Sequence, residues 1–226
     1  MATHNVTGNH LHDTTLNVSA TEGPPETINV RGLTEMNPGL GFFDHLTVNL
    51  AANNEWVGGF NLFPNSSAVV NGPGVFDNTS TDINRSSAII GANVVGTGTF
   101  MAFGQGPAGK LEFLHGVSAG QTVVDTGAPT WGTGIVQVDS PGAYHASNVL
   151  GFGEIDLEGL KATSYSFKND LLSLFNGKTV VDTLKLALQV QPDPVVFGVS
   201  QVGGSVVVHA EGSFYSDGGQ LLALHA

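Results

Sequence analysis

Apolar residues in this chain come in runs of four to six that alternate with polar ones and are broken by Gly, Asn, Asp or Pro, and helical periodicity is almost absent. That grammar dictates short β-strands joined by tight corners. Candidate strands are TTLNVSA, ETINVRG, HLTVNLA, SAVVNG, SAIIGANVV, TGTFMAF, KLEFLHGV, QTVVDT, GIVQVDS and EIDLEGL, at roughly ten-residue intervals. With 31 Gly and only 12% charged residues, the chain has little material for charged helix faces.

Corners such as NGPG, NTSTDIN, GTGT and GQGPAG suit a parallel β-solenoid, in which each strand turns into the next layer and stacked coils bury a continuous core. From about Tyr165 the pattern changes. SYSFKNDLLSLFNGKTVVDTLKLAL carries Asn176-Gly177 between two apolar runs, the signature of a type I′ hairpin. The expected fold is therefore all-β: a right-handed parallel β-solenoid (β-helix) over residues 1–164, followed at 165–226 by an antiparallel hairpin cap. QPDP at Gln191–Pro194 breaks the cap internally, and VVFGVS and SVVVHAEG supply a second strand pair. A cap shields the last coil from solvent and from edge pairing.

Charge and composition narrow the function. Nineteen acidic against seven basic residues give a net charge of −12, which repels phosphate backbones and argues against nucleic-acid binding. No Cys is present, so disulfides, thiolate metal sites and thiol nucleophiles are excluded. No run of about 18 apolar residues occurs, so no membrane span is expected, and the N-terminus, ATHNVTGNHLHDTT, lacks the pattern of a signal peptide.

GANVVGTGTF, GKLEFLHGVSAGQTVVDTG, VDSPGAYHASNVLGFGEIDLEGLKATSYSF and DLLSLFNGKTVVDTLKL, together spanning about Gly91–Leu186, resemble the β-helical passenger and adhesin-like repeats of large secreted or surface proteins of Gram-negative bacteria. The resemblance implies an exported, non-enzymatic protein of adhesion or extracellular-matrix type, located outside the cell or on its surface. Its partners would be further copies of itself or extracellular polysaccharide. The residues after the repeats are too few for a C-terminal membrane barrel of eight or more strands, so autotransport in one chain is not expected. The ending GGQLLALHA is apolar with no acid after Asp217, a likeness to type I secretion signals, and the last strand of a cap reads the same way.

Several motifs invite a chemical reading. Gly116–Gly120 in HGVSAG fits G-x-S-x-G, which would make Ser118 a nucleophile, with Asp182 and His209 completing the order of a hydrolase triad. A nucleophile elbow needs a helix after the serine, and QTVVDTG follows instead, so Ser118 is expected in a corner and no catalytic residue is assigned. His4, His10, His12 and Asp13 cluster near the N-terminus, and His10 and His12 would share a strand face in the spacing of a metal pair, but polar residues near a terminus need no ligand and surface decoration is the preferred reading. Glu154, Asp156 and Glu158 alternate with Ile155 and Leu157, placing three carboxylates on one strand face. A Ca²⁺ ion could bridge them, a sugar-cleaving acid set could use them, or water could solvate them. No other cofactor is suggested.

Trp56 and Trp131, each near glycine in WVGGF and WGTG, are candidate sugar-stacking residues, with Tyr144, Tyr165, Phe42, Phe43 and Phe60 as further aromatics; the competing reading is a stacked core. Asn5, Asn17, Asn65 and Asn78 open N-x-S/T triplets that reflect composition alone. A carbohydrate-binding or polysaccharide-cleaving module is the alternative function, and the two Arg leave little to neutralise an acidic sugar.

Overall fold

The computed structural model describes residues 2–7, 26–35, 42–103, 109–125, 134–191, 193–194, 197–210, 220–221 and 223–224. Parallel strands stack in three columns, and the chain visits the columns in turn as a β-solenoid does.

The first face is built from Ala2–Thr7, Glu26–Arg31, the second half of Phe42–Leu50, the second half of Asn61–Asn71, Ser87–Ile90, Gly109–Phe113, Gly134–Val138 and Glu154–Leu157, all paired in parallel. The second face is thinner. Leu33–Glu35, Glu55–Gly58, Val75–Asn78 and Asn93–Val95 pair there, and single bridges at Val117 and Tyr144 extend it. The third face holds the starts of Phe42–Leu50 and Asn61–Asn71, then Ser80–Asn84, Thr99–Phe103, Thr122–Asp125, Ser147–Leu150 and the end of Thr179–Leu188.

The alternation read in the sequence is the alternation of burial. Along Gly134–Val138, for example, Gly134, Val136 and Val138 point inward while Ile135 and Gln137 do not. In-register stacking converts this into interior columns: Ile28, Val48, Val70, Ile90, Phe113, Val138 and Leu157 lie one above the next. A second interior column is aromatic. Trp56 stacks on Phe76 at 4.7 Å, Phe76 meets Phe100 at 6.0 Å, Phe100 meets Phe113 at 5.0 Å, and Phe113 meets Tyr144 at 5.7 Å. Such ring pairs add about 0.5–1.5 kcal/mol each beyond the area they bury.

Where the chain must turn inside this dry core, polar side chains satisfy the backbone. Asn78 donates to the Gln121 side-chain oxygen at 2.9 Å and accepts from Thr81 Oγ1 at 2.7 Å. Gln121 donates back to the carbonyls of Asn78 and Val95, at 3.0 and 2.6 Å.

Pairing turns antiparallel at Ser164. Ser164–Lys168, Leu171–Asn176 and Thr179–Leu188 form a meander, and the end of its last strand rejoins the third face in parallel with Ser147–Leu150. Phe197–Val202 and Ser205–Ala210 form a hairpin whose second strand closes the first face by pairing antiparallel with Glu154–Leu157. The expected hairpin at Asn176-Gly177 is present with its register shifted by one. Asn176 pairs with Thr179, so Gly177 and Lys178 form the loop, and Gly177 has φ 62°. A glycine with positive φ at the first central position is the II′ geometry. The I′ condition, positive φ at both central residues, is met at Asn169 (52°) and Asp170 (58°), between Lys168 and Leu171.

Candidate functional site

Most residues singled out in the sequence sit where the coil's own packing needs them. Trp56 is fully buried in the aromatic column, so the expectation that it stacks on a sugar is corrected; Phe43, Phe60 and Tyr144 are likewise interior. Glycine neighbours suggested an exposed loop around Trp56, whereas Glu55–Gly58 is a rung of the second face. Tyr144 donates to Asn148 Oδ1 at 2.6 Å, and burial pushes its hydroxyl pKa up. Trp131, His10, His12 and Asp13 lie outside the described residues, and of His4 only the backbone is described.

Ser118 occupies a corner, as its flanking strands imply. Its N–H donates to the Val94 carbonyl at 3.0 Å, its carbonyl accepts from Gln121 N–H at 3.1 Å, and its hydroxyl donates to the Gly96 carbonyl at 3.3 Å. The three residues of the hydrolase order do not meet. His209 is hydrogen-bonded through Nε2 to Ser200 Oγ at 2.9 Å inside the cap hairpin, and Asp182 accepts from the N–H of Thr183.

Glu154 and Asp156 lie on the outer side of their strand with Ile155 and Leu157 buried beneath, as the alternation requires, and Glu158 follows in the same outward series. The cap shapes their surroundings. Ser205 donates to Glu158 Oε2 at 2.9 Å, and Asp156 stands opposite Val207. Burial, and next to it the charge of Glu158, raise the Asp156 pKa to about 6, against the pull of Ser205 and Lys110. Among the described residues, no group of three or more His, Asp or Glu is placed to hold a metal ion.

The outer surface of the first face changes chemistry along the solenoid. One column runs Thr3, Thr27, Thr47, Val69, Ile89, Glu112, Gln137, Asp156. Towards the cap the face is charged, with Lys110 and Glu112 paired at 3.3 Å and Gln137 donating to Asp139 at 3.0 Å. Towards the first coil it is polar, carrying threonines, asparagines and Arg31.

Beside the threonines runs a ladder of asparagines. Asn71 donates to Asn49 Oδ1 at 3.3 Å, Asn49 to Asn29 Oδ1 at 2.8 Å, and Asn29 to Asn5 Oδ1 at 2.9 Å, at sequence spacings of 22, 20 and 24 residues. These amides line a groove of about 320 Å³ whose other side is formed by Arg31, Ala51 and Gly72, where the chain leaves the first face. Gly72 has φ +107°, and a Cβ there would overlap the Leu50 carbonyl oxygen, so the turn stays narrow and the groove open. The sequence carried a signal for this ladder, a T-x-N or V-x-N triplet recurring at 3–5, 27–29, 47–49 and 69–71. It becomes legible only when the coil length is known.

Compared with protein-family models, with curated proteins and with solved structures, the chain matches none of them. Function is therefore argued from the geometry alone. No helix among the described residues is long and apolar enough to cross a membrane.

Proposed function

We propose that this chain is a non-enzymatic structural protein, secreted or displayed at the cell surface, of adhesin or extracellular-matrix type. The observation that carries the reading is the uninterrupted in-register stacking of the first face from Ala2–Thr7 to Glu154–Leu157, around a filled interior of aliphatic and aromatic columns. Such a rod presents a long outer face with fixed spacing, which is what adhesion or assembly requires. Ser118, His209 and Trp56 are engaged in a corner, a hairpin and the core instead.

Head-to-tail association belongs to the proposal. Ala2–Thr7 pairs in parallel with Glu26–Arg31, and an open strand edge at an end of a solenoid would offer another copy the same N–H and C=O groups that join coil to coil. Light scattering on the purified chain from micromolar to millimolar concentration tests it, together with negative-stain imaging. Growth of mass with concentration and end-to-end particles are the expected result; a monodisperse monomer throughout counts against assembly. Recovery of the protein from the surface or medium of producing cells tests the location.

The alternative, a carbohydrate-binding module, draws support from the amide-lined groove rather than from Trp56 or the acidic strand.

A further inference from the structure

We infer that the asparagine groove is a binding site for an uncharged, extended polysaccharide, laid along the solenoid axis with one sugar unit per coil.

The first argument is hydrogen-bond accounting. A primary amide has two N–H donors and two lone pairs on oxygen. In the ladder, Asn29 and Asn49 each give one N–H to the preceding coil and accept one from the next. One N–H and one lone pair of each amide remain outside the ladder. The pair repeats at every coil, and the ladder bonds fix its orientation. A sugar hydroxyl, donor and acceptor at once, complements such a pair.

The second argument is spacing. Coils in a parallel sheet lie about 4.7–4.9 Å apart, whereas an extended peptide brings like-facing groups round only every ~6.6–6.8 Å. A peptide lying along the ladder falls out of step after a single coil. In an extended β-linked pyranose chain successive units face opposite ways, so like-facing hydroxyls return every second unit, close to two coil spacings, and stay in step with alternate amides along the run of roughly 14 Å from Asn5 to Asn71.

The third argument is charge. Among the described residues no carboxylate lines the groove, and Arg31 is the charged group there. The net charge of −12 repels a polyanion approaching a single arginine, and a neutral chain meets no such barrier.

The inference deepens the surface-protein reading and rests on it for its setting, yet the two fail separately. Light scattering reports assembly, while titration reports the groove. A chain that assembles and ignores sugars overturns this inference alone; one that binds sugars as a monomer overturns assembly alone.

The test is calorimetric titration of the full chain with cellohexaose, xylohexaose and N-acetylchitohexaose, with hexagalacturonate and the peptide ATHNVT as controls. Side-chain amide NMR signals are followed in parallel. At least one uncharged hexasaccharide should bind saturably and shift the Asn29 and Asn49 amide signals, and its trisaccharide should bind more weakly because it spans fewer coils. Asn29→Ala combined with Asn49→Ala should weaken binding about tenfold or more, since two sets of hydrogen bonds are lost. Ala51→Trp leaves the ladder intact and fills the groove from an exposed turn position, so it should also weaken binding without lowering the melting temperature. Absence of binding by every uncharged hexasaccharide, binding only by hexagalacturonate or the peptide, or wild-type affinity in both variants overturns the proposal.

Discussion

The backbone N–H of Gly134 donates to Oδ1 of Asp125 at 3.1 Å, holding a fully buried carboxyl at the corner between the third and first faces. Burial raises the Asp125 pKa well above the usual carboxylate range; the bond from Gly134 opposes the shift and the charge of Glu154 adds to it. Asp82, Asp156 and Asp182 are raised as well, each chiefly by burial.

The sign follows directly. A carboxyl whose pKa is higher in the folded than in the unfolded chain penalises folding when ionised, fully so above the folded pKa. The penalty disappears as pH falls towards the unfolded value. For Asp156 the window runs from about 6 down to 3.8. Stability should therefore rise between pH 7.5 and pH 4.5, measured by urea denaturation. Asp156→Asn should flatten the upper part of that rise, and Asp125→Asn should stabilise the chain at pH 7.5 by about 1 kcal/mol or more. Constant or falling stability over this interval contradicts the prediction.

The aromatic column sets the second prediction. Phe76 touches Trp56, Phe60 and Phe100, joining successive coils, so Phe76→Ala should cost about 3–5 kcal/mol and lower the melting temperature cooperatively. Trp56→Phe should cost less. The indole N–H has no hydrogen-bond partner among the described residues, and removing it offsets part of the lost packing.

The third prediction concerns Gln121, whose carboxamide bonds Asn78 and the Val95 carbonyl inside the corner. Gln121→Leu is similar in size but removes the acceptor of one Asn78 amide N–H and the side-chain donor to the Asn78 and Val95 carbonyls. It should cost about 1–3 kcal/mol, and more than the loss of an exposed polar group such as Thr183. Thermal unfolding of the two variants side by side decides it.

What could be read before the fold was known has a physical pattern. Burial with period two is written locally, so the β-structure, the stacked core and the change of grammar near Tyr165 were all visible. Register is not local. Thr47 opposite Val69, or Asn29 opposite Asn49, depends on a coil length that varies with every corner, so the ladder and its groove stayed hidden. Trp56 misled for a related reason: glycine beside an aromatic marks either an open loop or a corner where backbones crowd, and Gly59, whose added Cβ would overlap the Ser80 carbonyl, shows the second. The acidic strand was placed correctly on its face, but the hairpin that shields Asp156 comes from residues 205–210, far along the chain.

The same contrast makes the last prediction, within HGVSAG. If the motif were a nucleophile elbow, its serine would carry the function. In the solenoid the backbone does. Ser118 makes one long side-chain bond, to the Gly96 carbonyl, and Ser118→Ala should change stability by less than about 1 kcal/mol. Gly120 faces the same carbonyl more closely, and a Cβ there would overlap its oxygen. Gly120→Ala must push two coils apart or bend the corner, and should cost roughly 1–3 kcal/mol. The glycine variant unfolding several degrees below the serine variant is the expected result; the reverse order, or loss of an ester-hydrolysing activity in Ser118→Ala, would restore the catalytic reading.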